Sequence, residues 1–136
     1  MEVFDGPGHT EAFVVLASAK HPIARQKSIR LAQLVAEPFV FYKGRARDTA
    51  LAACRTAGFE PRIACESGEL ETVRALVSAG LGLALVPELA ARTLQKGTTV
   101  VRLREPRVER TLGLITRRSH TWSAAAKKLV NELLPE

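Results

Sequence analysis

The stretch SGELETVRALVSAGLGLALVPE, residues 67–88, predicts a helix, a tight turn and a buried strand in close succession. Ser67 is a favourable N-cap residue, and Glu69 places a carboxylate near the positive end of the helix dipole. Gly80 stands where a helix ends in the left-handed conformation, and the apolar run 82–86 suits a strand covered on both faces. A covered strand that follows a helix directly indicates a βαβ unit and a parallel sheet.

Patterns on both sides of this stretch extend the α/β arrangement. Short apolar runs rich in β-branched and aromatic residues predict strands, and apolar positions at helical spacing predict helices. Strands are predicted at residues 13–16, 39–42, 62–65, 98–103 and 110–116, and helices or helical turns at 28–35, 48–57, 88–94 and from Ser123 onward.

Four segments also carry a family resemblance. They are ASAKHPIA at 17–24, the approach to a strand at 31–42, ETVRALVSAGLGLALVPELAAR at 71–92, and the closing segment 111–134. In order and spacing they resemble the effector-binding domain of LysR-type transcriptional regulators, from about residue 11 to the end of the chain.

The resemblance implies an α/β fold of the periplasmic-binding-protein-like, two-lobed kind. Residues 20–101 would form one complete, Rossmann-like lobe, the second of the two. Residues 1–19 and 102–136 would form the crossover segments and part of the first lobe. The rest of the first lobe and the DNA-binding domain have no counterpart in this sequence.

The resemblance further implies a ligand-sensing function. A small-molecule effector, commonly an organic anion in this family, would control DNA binding by an attached helix-turn-helix domain, and a homo-oligomer is expected. The alternative is a free-standing solute-binding protein of the same fold, which a secretion signal would support. Residues 1–9 carry acids, glycines and a proline instead, so we expect a cytoplasmic protein with no membrane partner.

The net charge of +6 raises nucleic acid as a direct partner. The basic residues are scattered along the chain, without interleaved aromatic residues or a helix-turn-helix pattern. DNA is therefore expected as a partner only through a domain that this chain does not contain.

Polar residues follow two of the predicted strands at their carboxyl ends, where ligands bind in open α/β sheets. An arginine can bind a carboxylate with two hydrogen bonds, and a helix start offers backbone amides. A purely structural interpretation stays open, in which Ser67 is only a helix cap and Lys43 and Arg45 are only solvated. The predicted effector-binding residues are Tyr42, Lys43, Gly44, Arg45, Glu66, Ser67 and Gly68.

The two cysteines favour a reduced protein without a disulfide framework or a zinc site. Cys54 and Cys65 have neither a CxxC spacing nor metal-ligand neighbours. Peroxide-sensing members of the resembled family carry one cysteine near the end of the helix that corresponds to 48–57 and another near its start. Residues 45–47 at that start are Arg, Ala and Arg, so a buried structural thiol is expected at Cys54.

Enzymatic motifs are missing from the sequence. His9, His21 and His120 lie in predicted loops without a Ser, Cys or Asp pattern around them, and GxSxG, P-loop and GxGxxG motifs do not occur. We therefore predict a non-enzymatic protein with no cofactor and no metal.

Overall fold

The computed structural model of the chain describes residues 2–3, 9–92, 96–112 and 115–116. The chain divides into two compact units, Ala12–Arg110 and a smaller unit that combines Met1–Glu11 with Thr111–Glu136. In the smaller unit Glu2 lies opposite Thr116 in an antiparallel strand pair. The lobe boundaries predicted at residues 20 and 101 stay a prediction.

The described residues alternate between strands and helices along most of the larger unit. The strands are β1 (Glu2–Val3), β2 (His9–Ser18), β3 (Ser28–Arg30), β4 (Pro38–Tyr42), β5 (Arg62–Ser67), β6 (Ala84–Pro87), β7 (Thr98–Glu105), β8 (Glu109–Leu112) and β9 (Ile115–Thr116). The α-helices are α1 (Ala46–Thr56) and α2 (Leu70–Ser78), and 3-10 helices span Pro22–Arg25, Leu31–Leu34 and Glu88–Ala91. No described helix combines the length and the apolar character needed to cross a membrane.

A mixed sheet forms the centre of the larger unit. Strand β4 is parallel to β5 on one side, and on the other side it meets the chain just before β6 in a parallel bridge between Phe39 and Leu83. Strand β6 is antiparallel to β2, β2 is antiparallel to β7, and β7 is parallel to β3. The βαβ units β4-α1-β5 and β5-α2-β6 are therefore present as predicted, but the sheet is not purely parallel because β2 runs the other way.

Gly82 allows the chain to pass close to β4. The N–H of Leu83 donates to the carbonyl oxygen of Pro38 at 2.9 Å. A Cβ atom at residue 82 would lie 2.8 Å from that same oxygen. Since the obstacle is backbone, a larger residue at this position would force the two strands apart.

The two α-helices cover opposite faces of β4. One core cluster joins Phe39 and Phe41 to small residues of α1, including Cys54. A second cluster joins Val40 to Val73 and Val77 of α2. Because successive side chains of a strand point to opposite faces, α1 and α2 form the two outer layers around the sheet.

Both helices end at a glycine, and Gly80 is the one predicted above. Gly58 follows α1 with φ of +98°, and Gly80 follows α2 with φ of +84°. After α2 the N–H of Leu81 also donates to the carbonyl of Leu76 at 3.1 Å, which completes a Schellman motif. Helix α1 begins at Ala46, two residues before the predicted start at Asp48.

Two predicted elements differ from the structure because of strand pairing. The helical turns expected at residues 28–35 are strand β3 followed by the 3-10 helix Leu31–Leu34, because residues 28–30 pair with β7 more than 70 residues away. The short strand expected at 13–16 extends to His9–Ser18, since it pairs with both β6 and β7. These pairings are non-local, and a local pattern carries little information about them.

The remaining predictions concern the last third of the chain. The helix expected at 88–94 is the 3-10 helix Glu88–Ala91, and residues 93–95 lie outside the described residues. The strand expected at 98–103 is confirmed as β7, and the one at 110–116 corresponds to β8 and β9. The helix predicted from Ser123 onward lies outside the described residues.

Candidate functional site

The carboxyl ends of β4 and β5 lie side by side and lead into the starts of both α-helices. Tyr42 lies opposite Ser67 in the parallel register. The N–H of Lys43 donates to the carbonyl of Ser67 at 2.9 Å, so the two strands stay joined to their last residues. Helix α1 then begins at Ala46 and α2 at Leu70. This edge has the features that bind ligands in open α/β sheets: strand ends, loops and the amino ends of helices.

All seven predicted effector-binding residues lie along this edge. Lys43, Arg45 and Gly68 are exposed, while the other four are partly buried. The register separates their side chains, because Glu66 lies opposite Phe41 on the α1 face, whereas Tyr42 and Ser67 share the α2 face. The binding role of these residues stays a prediction.

Gly44 leaves room for the ring of Tyr42. A Cβ atom at residue 44 would lie 2.8 Å from Cε2 of Tyr42. The ring therefore folds back over the turn that leads into α1 and also packs against the α2-side core cluster. This arrangement gives the edge an apolar wall whose phenol oxygen can serve as a polar tip.

Ser67 is not the N-cap of α2, contrary to the prediction. It is the last residue of β5, and the N-cap position belongs to Glu69. The hydroxyl oxygen of Ser67 accepts a hydrogen bond from the N–H of Glu69 at 3.0 Å. Strand pairing with Tyr42 holds Ser67 in the extended conformation, so its side chain caps a local turn before the helix begins.

The start of α1 concentrates positive charge. Lys43, Arg45 and Arg47 fall within five residues, and Arg45 occupies the N-cap position without a capping side-chain hydrogen bond. Asp48 is the acidic residue of the first turn. Cations near the amino end of a helix oppose its dipole and cost about 0.3–1 kcal/mol each.

Arg47 and Glu66 form an ion pair at this edge, which the sequence analysis did not anticipate. Nε and Nη2 of Arg47 donate to Oε1 of Glu66 at 3.0 Å and 2.7 Å. The guanidinium also lies 5.9 Å from the centre of the Phe41 ring. The two charged residues are 19 positions apart, and no periodic pattern connects them. The β4–β5 register, which sets Glu66 beside Phe41 near the start of α1, could have suggested the pair.

His21 has a structural role among the described residues. Its Nδ1 accepts a hydrogen bond from the N–H of Ile23 at 3.1 Å, and its Nε2 lies 2.5 Å from a carboxylate oxygen of Glu37. Both ring nitrogens are thus engaged in holding the 3-10 helix Pro22–Arg25 in place. Within the described ranges no three His, Cys, Asp or Glu residues are grouped so that they could hold a metal ion.

Residues 8–136 match the family described as the LysR substrate binding domain. The chain belongs to this family. The resemblance found in the sequence is thereby confirmed, and so is the predicted fold, since solved LysR domains share it.

Two LysR-type relatives and one solved structure show the extent of the similarity. The transcriptional dual regulator GltC of Bacillus subtilis is 33% identical over 120 residues, which cover 86% of this chain and 40% of that protein. The regulator OxyR of Escherichia coli is 31% identical over 115 residues, which cover 82% and 38%. The C-terminal domain of a probable LysR regulator from Rhodococcus is 26% identical with a TM-score of 0.72, covering 92% of this chain and 64% of that one. The chain thus spans about 40% of the length of these curated relatives.

The thiols of this LysR domain lie on opposite faces of the sheet. Cys54 is fully buried in the cluster on the α1 side, and Cys65 lies beside Val40, whose side chain belongs to the α2-side cluster. Both cysteines are free. Burial, with a smaller contribution from the charge of Glu60, raises the pKa of Cys54 from 9.0 to about 11. Cys54 is buried as expected, and its purely structural role stays a prediction.

Proposed function

We propose that the chain is the ligand-sensing part of a LysR-type transcriptional regulator and that it binds a small anionic effector where β4 and β5 end and α1 begins. The observation that carries the site is the exposed pair Lys43 and Arg45 at this edge. An arginine fork and an ammonium group suit a carboxylate or phosphate, and the amides at the helix start add hydrogen-bond donors.

The effector would act by shifting an equilibrium between two arrangements of the full-length protein. It changes lobe closure and oligomer geometry, and through them the way in which an attached helix-turn-helix domain engages DNA. A ligand shifts such an equilibrium only by its different affinity for the two states. The role of GltC and OxyR as transcriptional regulators supports this function over that of a free-standing solute-binding protein.

The same relatives support a regulatory role without catalysis. The titratable groups described around the site include an ion pair, two exposed cations, the Tyr42 phenol and helix-start acids, and we infer no nucleophile with an adjacent base among them. We infer a cytoplasmic protein, because a regulator of transcription works where the DNA is. We also infer a homo-oligomer, as membership of the LysR family implies.

A titration of the chain with sodium sulfate at constant ionic strength tests the site, with backbone amide NMR shifts as the readout. We expect the largest shifts at residues 43–47 and 66–69. Arg45→Ala or Ser67→Ala should weaken sulfate binding by about 1–3 kcal/mol, the range for a charge-assisted or buried hydrogen bond.

Arg62→Ala is the matched control, because Arg62 is exposed at the opposite end of β5. It removes the same charge from the same sheet and should leave the sulfate affinity unchanged. Equal losses from Arg45→Ala and Arg62→Ala would show that only the net charge matters, and the site assignment would be wrong.

A further inference from the structure

Glu66 presents a difficulty for the proposed anion site. Its carboxylate lies on the same edge as Lys43 and Arg45, and it is only partly buried. A negative charge on the same edge as a bound anion, in a partly screened environment, weakens binding roughly fivefold to tenfold. A site for an anion therefore needs a group that cancels this charge.

Arg47 is placed to cancel it. Its Nε and Nη2 atoms both donate to Oε1 of Glu66, at 3.0 Å and 2.7 Å. The exposed fractions of the two side chains are 33% and 27%, so the pair is screened less than a fully exposed one. The bond holds the Glu66 carboxylate toward α1, on the face of the sheet where Phe41 lies.

Arg47 is correspondingly unsuited to bind the effector itself. The edge formed by Nε and Nη2 is one that matches a carboxylate in two-point recognition, and Glu66 occupies it. The guanidinium also lies 5.9 Å from the ring centre of Phe41, which is 3% exposed. These contacts fix the side chain from two directions, whereas Arg45 is exposed at the N-cap position.

We propose that Arg47 is a positioning residue that neutralises Glu66 and holds its carboxylate on the α1 side, so that an anion can bind at Lys43 and Arg45. This inference rests on the proposed function, since it assumes the anion site at that edge. It assigns the three cations of the segment different tasks: Lys43 and Arg45 face the ligand, and Arg47 faces the protein.

A double-mutant cycle tests the inference with the sulfate titration described above. Arg47→Gln should weaken sulfate binding about fivefold to tenfold, because it leaves the Glu66 charge uncompensated. Glu66→Gln should keep or improve the affinity by up to about threefold. The double variant Arg47→Gln with Glu66→Gln should return to within about twofold of Glu66→Gln alone, since no charge is left to cancel.

A persistent loss in the double variant would overturn the inference, because Arg47 would then contact the anion directly. An unchanged affinity in Arg47→Gln, or a lower affinity in Glu66→Gln, would overturn it as well. A lower affinity in Glu66→Gln overturns the inference even if Arg47→Gln fails to fold. Arg47→Lys should retain only part of the affinity, because it keeps the positive charge but loses the forked contact with Glu66.

Arg55→Gln is the matched control on the same helix. Arg55 donates to both carboxylate oxygens of Glu60, so this variant also breaks an arginine–glutamate pair, but near the other end of α1. It should leave the sulfate affinity unchanged. If Arg45→Ala weakens binding while the cycle shows no coupling, only the inference about Arg47 fails. If wild type shows no sulfate-dependent shifts at residues 43–47, the proposed function fails with it.

Discussion

Helices α1 and α2 begin at the same edge of one sheet, but their first turns carry opposite charges. Helix α2 opens with Glu69 and Glu71, whose carboxylates suit the positive end of the helix dipole. Helix α1 opens with Arg45 and Arg47, which oppose it and outnumber Asp48, the acid of its first turn. The start of α2 therefore follows the rule for stability. The start of α1 carries the less stabilising charge, and residues that lower stability are expected where they serve a function.

The two helices also differ in how they are anchored. Helix α2 buries Val73 and Val77 completely, whereas α1 packs through small residues, namely three alanines and Cys54. Branched side chains bury more apolar area per residue than alanine does. Helix α2 should therefore contribute more to the stability of the domain, and α1 should tolerate the unfavourable charges at its start because it lies against a large aromatic surface on β4.

The largest effect on stability is expected from Val73→Ala, which tests whether α2 contributes more to the stability of the domain than α1. Val73 is fully buried against Val40 of β4, so its truncation removes buried methyl groups and leaves a cavity. We expect a loss of about 2–3 kcal/mol in the free energy of unfolding, measured by urea denaturation. Val35→Ala is the control, because Val35 is 56% exposed and its truncation should cost less than about 0.5 kcal/mol. Similar losses in both variants would mean that α2 is not the anchor.

A smaller effect is expected from reversing the charge at the start of α2. Glu69→Lys replaces an acidic N-cap residue by a cation and should lower the free energy of unfolding by about 0.5–1 kcal/mol at low salt. Ala75→Lys adds a lysine in the middle of the helix, where Ala75 is exposed, and should have little effect. Equal effects of the two variants would remove the dipole as the explanation.

The smallest effect on stability is expected from modification of the two thiols, which lie on opposite faces of the sheet. Cys54 is buried with a pKa raised to about 11, so it is largely protonated at pH 8, whereas Cys65 is partly exposed. Maleimide at pH 8 should label Cys65 in the folded protein and reach Cys54 only after unfolding.

Mild peroxide treatment should leave stability unchanged and produce no disulfide between Cys54 and Cys65, as mass spectrometry can check. A rapid Cys54–Cys65 disulfide would contradict the placement of the thiols on opposite faces.

Much of the fold was predictable from the sequence because its strongest signals are local. Gly58 and Gly80 end α1 and α2, and the apolar run before Pro87 forms a strand whose four residues are all buried. Each of these elements is decided by residues within a few positions of one another, and helix periodicity and glycine conformation report on that range.

The errors have non-local causes. Residues 28–30 form a strand because β7 pairs with them. Ser67 stays in β5 because it pairs with Tyr42 of β4. The Arg47–Glu66 pair depends on the register of two strands joined by a helix, so the candidate site could be located from the sequence while its charge balance could not.

The central claim, that the start of α1 gives up helix stability for anion binding, is tested by urea unfolding of wild type and Arg45→Asp over a sulfate series at constant ionic strength. Without sulfate, Arg45→Asp should be more stable by about 0.5–1 kcal/mol, because an acid now meets the helix dipole. As sulfate is added, wild type should gain about 1.4 kcal/mol at ten times its dissociation constant, while Arg45→Asp should gain only the general effect of sulfate. Arg62→Asp should follow the wild-type slope. Parallel curves for wild type and Arg45→Asp, or a less stable Arg45→Asp without sulfate, would contradict the account.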